Sequence, residues 1–365
     1  MTKHFAVDGN EANVEHKVGV SVYTFQLLSY FQKKADEKTR FTIFLRNAPR
    51  ADMPAASEYF RYEVVPGTIG WSQLFLPLRL GIKFIKGIRY DVFFSPAHYI
   101  PRFCPFKTVV TIHDLSYLYF PNEFLKKDLY QLTHWTRYAI KKSSKVIAVS
   151  KTTKRDVLKE YGENDNKVVI IYNGYTPEKT TPQPKKKSVI PYFLYLGTIQ
   201  PRKNIKFMIA AFSQFIKTHP DFQLIIAGKM GWLSDDIVLY VTTLGLNKSV
   251  LFPGFISDEE KNNLYKNAVA YILPSLYEGF GIPLLEAMSN NCPVISSFKS
   301  SLPEIGGEAC LYFDPNDVSD LIEKMELIVA DKNVRMDLMT KGQQRVKTFS
   351  WAKTGEETLA LLQSI

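Results

Sequence analysis

The 365-residue sequence has three cysteines, Cys104, Cys292 and Cys310, at no paired spacing. So odd and sparse a count argues against a disulfide framework or a zinc site, and for a reducing compartment. No run reaches the about 18 apolar residues that a membrane-crossing helix needs. The opening MTKHFAVDGN lacks the apolar stretch of a secretion signal. A cytoplasmic location is therefore expected. The first strand candidate runs into VDGNEAN, which supplies no Gly-x-Gly-x-x-Gly. That absence argues against an epimerase or dehydrogenase built on a dinucleotide cofactor.

The formal charge is +10. A basic chain invites an anionic partner: nucleic acid, a phosphorylated substrate or an acidic membrane surface. The charge is spread along the chain without a basic tail. No nucleic-acid motif and no basic-aromatic platform accompanies it, so no nucleic-acid partner is expected.

Apolar residues make up 45% of the chain, enough for two domains to bury a core each. In the first half, apolar runs at 4–8, 40–46, 91–97, 107–114, 145–150 and 167–174 read as strands, with a helix at 21–35. Near-continuous Val, Ile and Phe runs point to a parallel sheet covered on both faces. The stretch YTPEKTTPQPKKKSVIP (175–191) breaks the pattern with four prolines and a lysine run, and reads as a linker. The pattern then restarts. Strands are expected at 192–198, 222–228, 249–255, 267–275, 293–297 and 309–313, with helices at 204–220, 257–268 and 350–363. Ser257 and Glu260 form a capping-box signature. The domains expected are 1–176, a linker at 177–190, 191–348, and a final helix at 349–365 packing back on the first domain.

Two stretches carry chemistry. SLYEGFGIPLLEAM (275–288) follows a strand, places two glycines between Glu278 and Glu286, and starts a helix near Pro283. Glycine lets backbone approach a ligand closely. The start of a helix offers free N–H groups to an anion. LGTIQPRKNI (196–205) sets Arg202 and Lys203 between a strand and a helix. Such a pair can grip phosphate oxygens, although a basic pair alone reads equally as solvated surface.

These stretches, with FPGFISDEE (252–260), TIHDLS (111–116), VIAVSKTTKRDV (146–157), SSLPEIGGEA (300–309) and FSW (349–351), occur in one order. Here the chain resembles the retaining glycosyltransferases of the large family-four group. The resemblance implies an α/β architecture of the GT-B type, two doubly wound Rossmann-like domains facing across a cleft. It implies transfer of a hexose, mannose before others, from GDP-mannose or a UDP-sugar to a glycan or lipid-linked glycan. By the same resemblance the first domain serves the acceptor and the second the nucleotide-sugar. Glu278 then contacts the donor sugar, and Glu286 the ribose. Gly279, Phe280 and Gly281 bring backbone N–H groups to sugar and phosphate. Arg202 and Lys203 neutralise the diphosphate, His113 points at the transferring sugar, and Gly19 lies beside the donor phosphates. No cofactor or metal is expected, since Asp-x-Asp, which holds the ion in metal-dependent relatives in function, is absent from the chain.

Other readings stand beside these. Glu286 also fits a helix-dipole glutamate. His113 also fits a packed or capping role, and Gly19 a simple turn. His98 in SPAHYIP ends a strand and is an acceptor-side candidate or a plain loop histidine. The chain departs from the family pattern at KVGVSVY (17–23), where Ser21 replaces a usual second glycine. It departs again at NNCPV (290–294), where Asn291 is expected to take the left-handed conformation at a helix end. The run LPLRLGIKFIKGIRY (76–90) reads as a crossover helix. Its Arg79, Lys83 and Lys86 also suit an anionic membrane surface. A non-catalytic nucleotide-sugar binder would use the same binding residues.

Overall fold

The computed structural model describes residues 2–177, 190–229, 231 and 235–365. Apart from its first and last residues, the linker expected at 177–190 lies outside the described residues. The chain divides into two compact units. One comprises Met1–Gly174 with Phe349–Ile365, and the other Tyr175–Thr348.

The first unit holds strands β1 (Lys3–Asp8), β2 (Thr39–Leu45), β3 (Phe60–Val64), β4 (Val92–Ser95), β5 (Lys107–Ile112), β6 (Lys145–Ala148) and β7 (Val168–Ile170). They pair in the order β3-β2-β1-β4-β5-β6-β7, every neighbour parallel. Successive side chains alternate between two cores. Phe5, Val7, Phe41, Ile43, Val92 and Phe94 enter one. Ala6, Phe44 and Phe93 enter the other. The sheet is thus apolar on both faces, as strands without alternation predict. The helix Val20–Lys34 lays Tyr23, Leu27, Leu28 and Phe31 on the first face, and the C-terminal helix Trp351–Gln363 adds Leu359 and Leu362 to the same core.

β3 is the strand that sequence periodicity does not announce. It is an edge strand in which only Phe60 is buried, so it needs no apolar run.

The helix Phe75–Ile85 lies before β4 and buries Leu76, Pro77 and Leu80. Its basic side chains are not all free. Glu63 of β3 takes Arg79 at 2.5 Å and Lys83 at 2.6 Å. Its other apolar side chains are not all in the core, and Leu78, Phe84 and Ile85 are exposed. No helix among the described residues is long and apolar enough to cross a membrane.

The second unit holds β8 (Tyr192–Leu196), β9 (Gln223–Ala227), β10 (Val250–Gly254), β11 (Ala270–Leu273), β12 (Val294–Ser297) and β13 (Cys310–Phe313). Their order, β10-β9-β8-β11-β12-β13, repeats that of the first unit strand for strand, up to the first unit's extra β7. The helix Ile205–Phe215 buries Ile205, Met208, Ile209, Phe212 and Phe215, one stripe at helical spacing. Ser257 and Glu260 close a reciprocal capping box on the helix Asp258–Asn267. Asn291 takes φ 53° just past the helix Ile282–Ser289.

Because Leu362 is fully buried in the first core, Leu362→Ala is expected to cost the first unit about 2–5 kcal/mol. Urea unfolding of the full chain would show this as an earlier midpoint.

Candidate functional site

Each sheet reverses its winding once, between β1 and β4 and between β8 and β11. At such a reversal the connections leave in opposite directions and open a crevice at the carboxyl ends of the strands. The sequence-predicted residues of the second unit collect there. β11 ends at Leu273, and the chain passes through Ser275–Phe280 to Gly281, which caps the helix Ile282–Ser289 with φ 110°. That φ is favourable only for glycine. β8 ends at Leu196 and leads to the short turn Pro201–Lys203, after which Asn204 at φ 56° starts the helix Ile205–Phe215.

The two loops meet at Glu278. Lys203 Nζ lies 2.5 Å from Glu278 Oε1, and Arg202 Nη1 3.9 Å from Oε2. Ser275 Oγ donates to Oε1 at 2.7 Å. Burial pushes the carboxyl up, but the charges of Lys203 and Arg202 and the bonds from Lys203 and Ser275 outweigh it, leaving Glu278 below its ordinary value. It is an ionised carboxylate against two cations. The backbone is pinned as well. Leu276 N donates to Arg202 O at 2.9 Å, and Ser301 Oγ bonds both Glu278 O and Phe280 O at 2.8 Å. Ser300 Oγ donates to Glu278 O at 2.5 Å.

Gly279, Phe280 and Gly281 are buried in this loop, so the Phe280 ring packs inward and its backbone forms the turn. Glu286, on the helix, is engaged by Lys261 at 3.4 Å and by the Tyr265 hydroxyl at 3.3 Å. Buried Tyr271 is pushed well above its ordinary value, first by burial and then by Tyr195 and the charges of both Glu278 and Glu286. Ser275, Ser300, Ser301, Lys261 and Tyr265 were not singled out by sequence. Ser300 adopts φ 56°, a backbone state no spacing announces.

His113, His98 and Gly19 belong to the first unit. β4 and β5 are neighbours, which brings the two imidazoles within 5.7 Å, and Tyr23 meets His113 edge-on at 4.8 Å. His113 Nε2 lies 2.8 Å from Pro96 O. A carbonyl only accepts, so this nitrogen carries the proton and Nδ1 is left as an acceptor. Burial, then nearby His98, push His113 down to about 4 against the bond to Pro96 and the charge of Asp114. Gly19 caps the helix Val20–Lys34 at φ 52°, with no atom within 4 Å of where a Cβ would stand. That geometry fits a structural turn and an open approach alike.

A family model described as glycosyl transferases group 1 matches residues 177–345, and one described as glycosyltransferase family 4 matches residues 18–179. The chain is 30% identical over 280 residues to O-antigen chain mannosyltransferase B of Escherichia coli, covering 73% of each. It is 29% identical over 278 residues to a serotype-specific mannosyltransferase, WbdA, of the same organism, and spans 34% of that longer relative. Among solved structures, sucrose-phosphate synthase from Thermosynechococcus elongatus superposes with a TM-score of 0.74 at 19% identity, over 99% of this chain and 98% of that one. The Anabaena protein HepE in complex with UDP and glucose gives 0.72 at 17% identity, over 100% of each. These likenesses define the fold as GT-B. The chain belongs to the family-four group of GT-B glycosyltransferases.

The low value of His113 sets a pH dependence. Its folded pKa, about 4, lies below the ordinary 6.5, so between these values the unfolded chain binds the extra proton. The contribution of His113 to stability therefore falls as pH drops from 6.5 toward 4; buried His98, also lowered, acts in the same direction, and Asp8, whose carboxyl burial raises to about 7, acts in the opposite one. The His113 part is isolated by comparison: the denaturant midpoint of the unaltered chain should fall relative to that of His113→Gln as pH drops across this range.

Proposed function

We propose that this glycosyltransferase moves a hexose from a nucleoside-diphosphate sugar to a glycan or lipid-linked glycan, with retention at the anomeric carbon and without a metal ion. The observation that carries the reading is the cluster of Lys203, Arg202 and Glu278 at the reversal point of the second sheet. A departing diphosphate gains negative charge as the glycosidic bond to it breaks. Two cations fixed in advance stabilise that charge without reorganisation.

In this reading Glu278 orients the sugar by accepting hydrogen bonds from its hydroxyls. Its carboxylate is already committed to Lys203 and Ser275, which suits positioning better than attack. The leaving phosphate oxygen takes the proton of the acceptor hydroxyl. Glu286 holds the ribose, the N–H groups of Gly279–Gly281 approach sugar and phosphate, and Gly19 lies by the phosphates. Neutral His113 faces the transferring sugar, and His98 belongs to the acceptor side. The names of the mannosyltransferase relatives favour mannose, and an O-antigen-like polysaccharide as acceptor. GDP-mannose is the first donor to try, and the UDP complexes of HepE make UDP-sugars the second.

Thermal shift tests the donor site. One nucleotide diphosphate, with its sugar, should raise the melting point with concentration, in EDTA as well as in buffer. Lys203→Ala should abolish the shift. Glu278→Ala should retain nucleotide binding and lower transfer by about a hundredfold or more. Binding without transfer to any acceptor, and without hydrolysis of the donor, would mark a non-catalytic binder instead. No shift at millimolar nucleotide would sink the reading.

Work on the cytoplasmic face of a membrane is part of the proposal. Exposed Leu78, Phe84 and Ile85 project beside Lys86 and Arg89, apolar groups flanked by cations. Cosedimentation with phosphatidylglycerol vesicles should fall severalfold on Ile85→Glu. Equal pelleting with purely zwitterionic vesicles would contradict the electrostatic part.

A further inference from the structure

The second sheet has two ends, and the cluster of Lys203, Arg202 and Glu278 occupies only the carboxyl one. At the amino end lies a cavity of about 470 Å³, bordered by Phe222, Val269 and Pro293, the residues just before β9, β11 and β12. Its other wall is built where the helix Val318–Ala330 gives way to the helix Lys332–Val346, and includes Val329, Met336 and Met339. The volume lies within the range of small-molecule clefts, about 300–1,000 Å³. No residue of the Glu278 cluster lines it.

The charge on this lining is of one sign. Lys266, Lys332 and Arg335 border the cavity, and no aspartate or glutamate does. Arg335 is already committed. Its Nη1 donates to Val329 O at 2.9 Å and to Ile328 O, closing carbonyls at the end of the helix Val318–Ala330. Lys266 sits in the last turn of the helix Asp258–Asn267, and Lys332 opens the helix Lys332–Val346. Neither ammonium group has a hydrogen-bond or ion-pair partner among the described residues. Acids close in sequence are engaged elsewhere. Asp331 accepts from Asn333 N at 2.7 Å and from Val334 N at 3.2 Å, and Asp337 pairs with Lys341 at 2.7 Å. Two cations are therefore left beside the cavity without a counter-charge of their own.

The rest of the lining is apolar. The Phe222 ring stacks on Phe193 at 5.5 Å and meets Phe215 edge-on at 5.2 Å, which fixes that wall. The opposite wall can adapt, because methionine is unbranched and its thioether fills irregular space. Met336 is 55% exposed, a large apolar side chain standing in water at the rim. Asn291 is the one neutral polar side chain on the lining, so a sugar would find few partners for its hydroxyls. A bare phosphate would satisfy the lysines and leave the apolar walls wet. An anion that also carries an apolar body uses both.

We propose that this cavity binds an anion with an alkyl tail, its head met by Lys266 and Lys332 and its tail held between Phe222 and the two methionines. Carboxylate and phosphate monoester heads share this chemistry, since lysine meets either as a point charge. The proposal stands apart from the transfer reading, because the two sites have no residue in common.

NMR of the full chain carrying methyl-labelled methionine tests the site, with decanoate and decyl phosphate titrated below their micelle concentrations. The Met336 and Met339 signals, identified by Met336→Leu and Met339→Leu, should shift and saturate. Whichever amphiphile binds more tightly names the head, carboxylate or phosphate. Replacing both lysines, Lys266→Gln with Lys332→Gln, changes no buried residue and should weaken binding about tenfold. Met336→Glu, at an exposed position, should weaken it comparably by repelling the head. Decanol, which has the tail alone, should bind about tenfold or more weakly than decanoate. Acetate and inorganic phosphate, which have the head alone, should not displace it. The proposal is overturned by methionine signals that do not move, by binding that survives the loss of both lysines, or by decanol binding as tightly as decanoate. Displacement of decanoate by acetate or inorganic phosphate at equal concentration would overturn it as well, leaving a simple anion site.

Discussion

A parallel sheet exposes no edge-to-edge shortcut between neighbouring strands, so each strand must be reached by a crossover, and both faces must be covered. That constraint governs both units. A chain that always moved one way would cover one face. It must instead start in the middle and wind outward twice, which leaves one pair of adjacent strands whose connections diverge. The pairs β1–β4 and β8–β11 are those places. The carboxyl ends of these strands cannot be roofed by the crossovers that roof the others, and polar side chains collect there.

The same topological position carries opposite electrostatics in the two units. In the second, Lys203 and Arg202 outweigh the burial of Glu278 and hold it ionised. In the first, Asp8 and Glu11 meet no cation that lowers them, and burial raises both. A formal charge of +10 is therefore not one basic surface. It is a distribution in which the two reversal points differ, one setting Lys203 and Arg202 against Glu278 and the other leaving Asp8 and Glu11 without a cation that lowers them. Gross charge alone would suggest nucleic acid, and only the local partners separate the cases.

Much of this is legible in the sequence, for identifiable reasons. Interior strands must be apolar on both faces, so β1, β5, β8 and β11 stand out as runs. Glu278, Arg202 and Lys203 are recognisable because glycine, proline and charge are unusual together at a strand end. β3 is not legible, since an edge strand with one buried residue has no run to show. Nor is the ion pair between Lys203 and Glu278, which are 75 positions apart and meet only because β8 and β11 are neighbours. The serines that pin the loop depend on the left-handed backbone of Ser300, and serine gives no sign of that in advance. Asn291 does give a sign, because asparagine tolerates φ near 53° where a helix must stop.

The helix Trp351–Gln363 completes a core whose other members lie before residue 174. On the ribosome, the first unit therefore waits. Its sheet can be laid down early, but Leu359 and Leu362 arrive only after the whole of Tyr175–Thr348 has been made. The second unit is continuous in sequence and can close while its neighbour still lacks one of the helices on its first core. The order of synthesis and the order of completion are thus reversed. A growing chain carries a half-roofed sheet for the time it takes to translate a full domain, an interval in which chaperones have a defined apolar surface to cover.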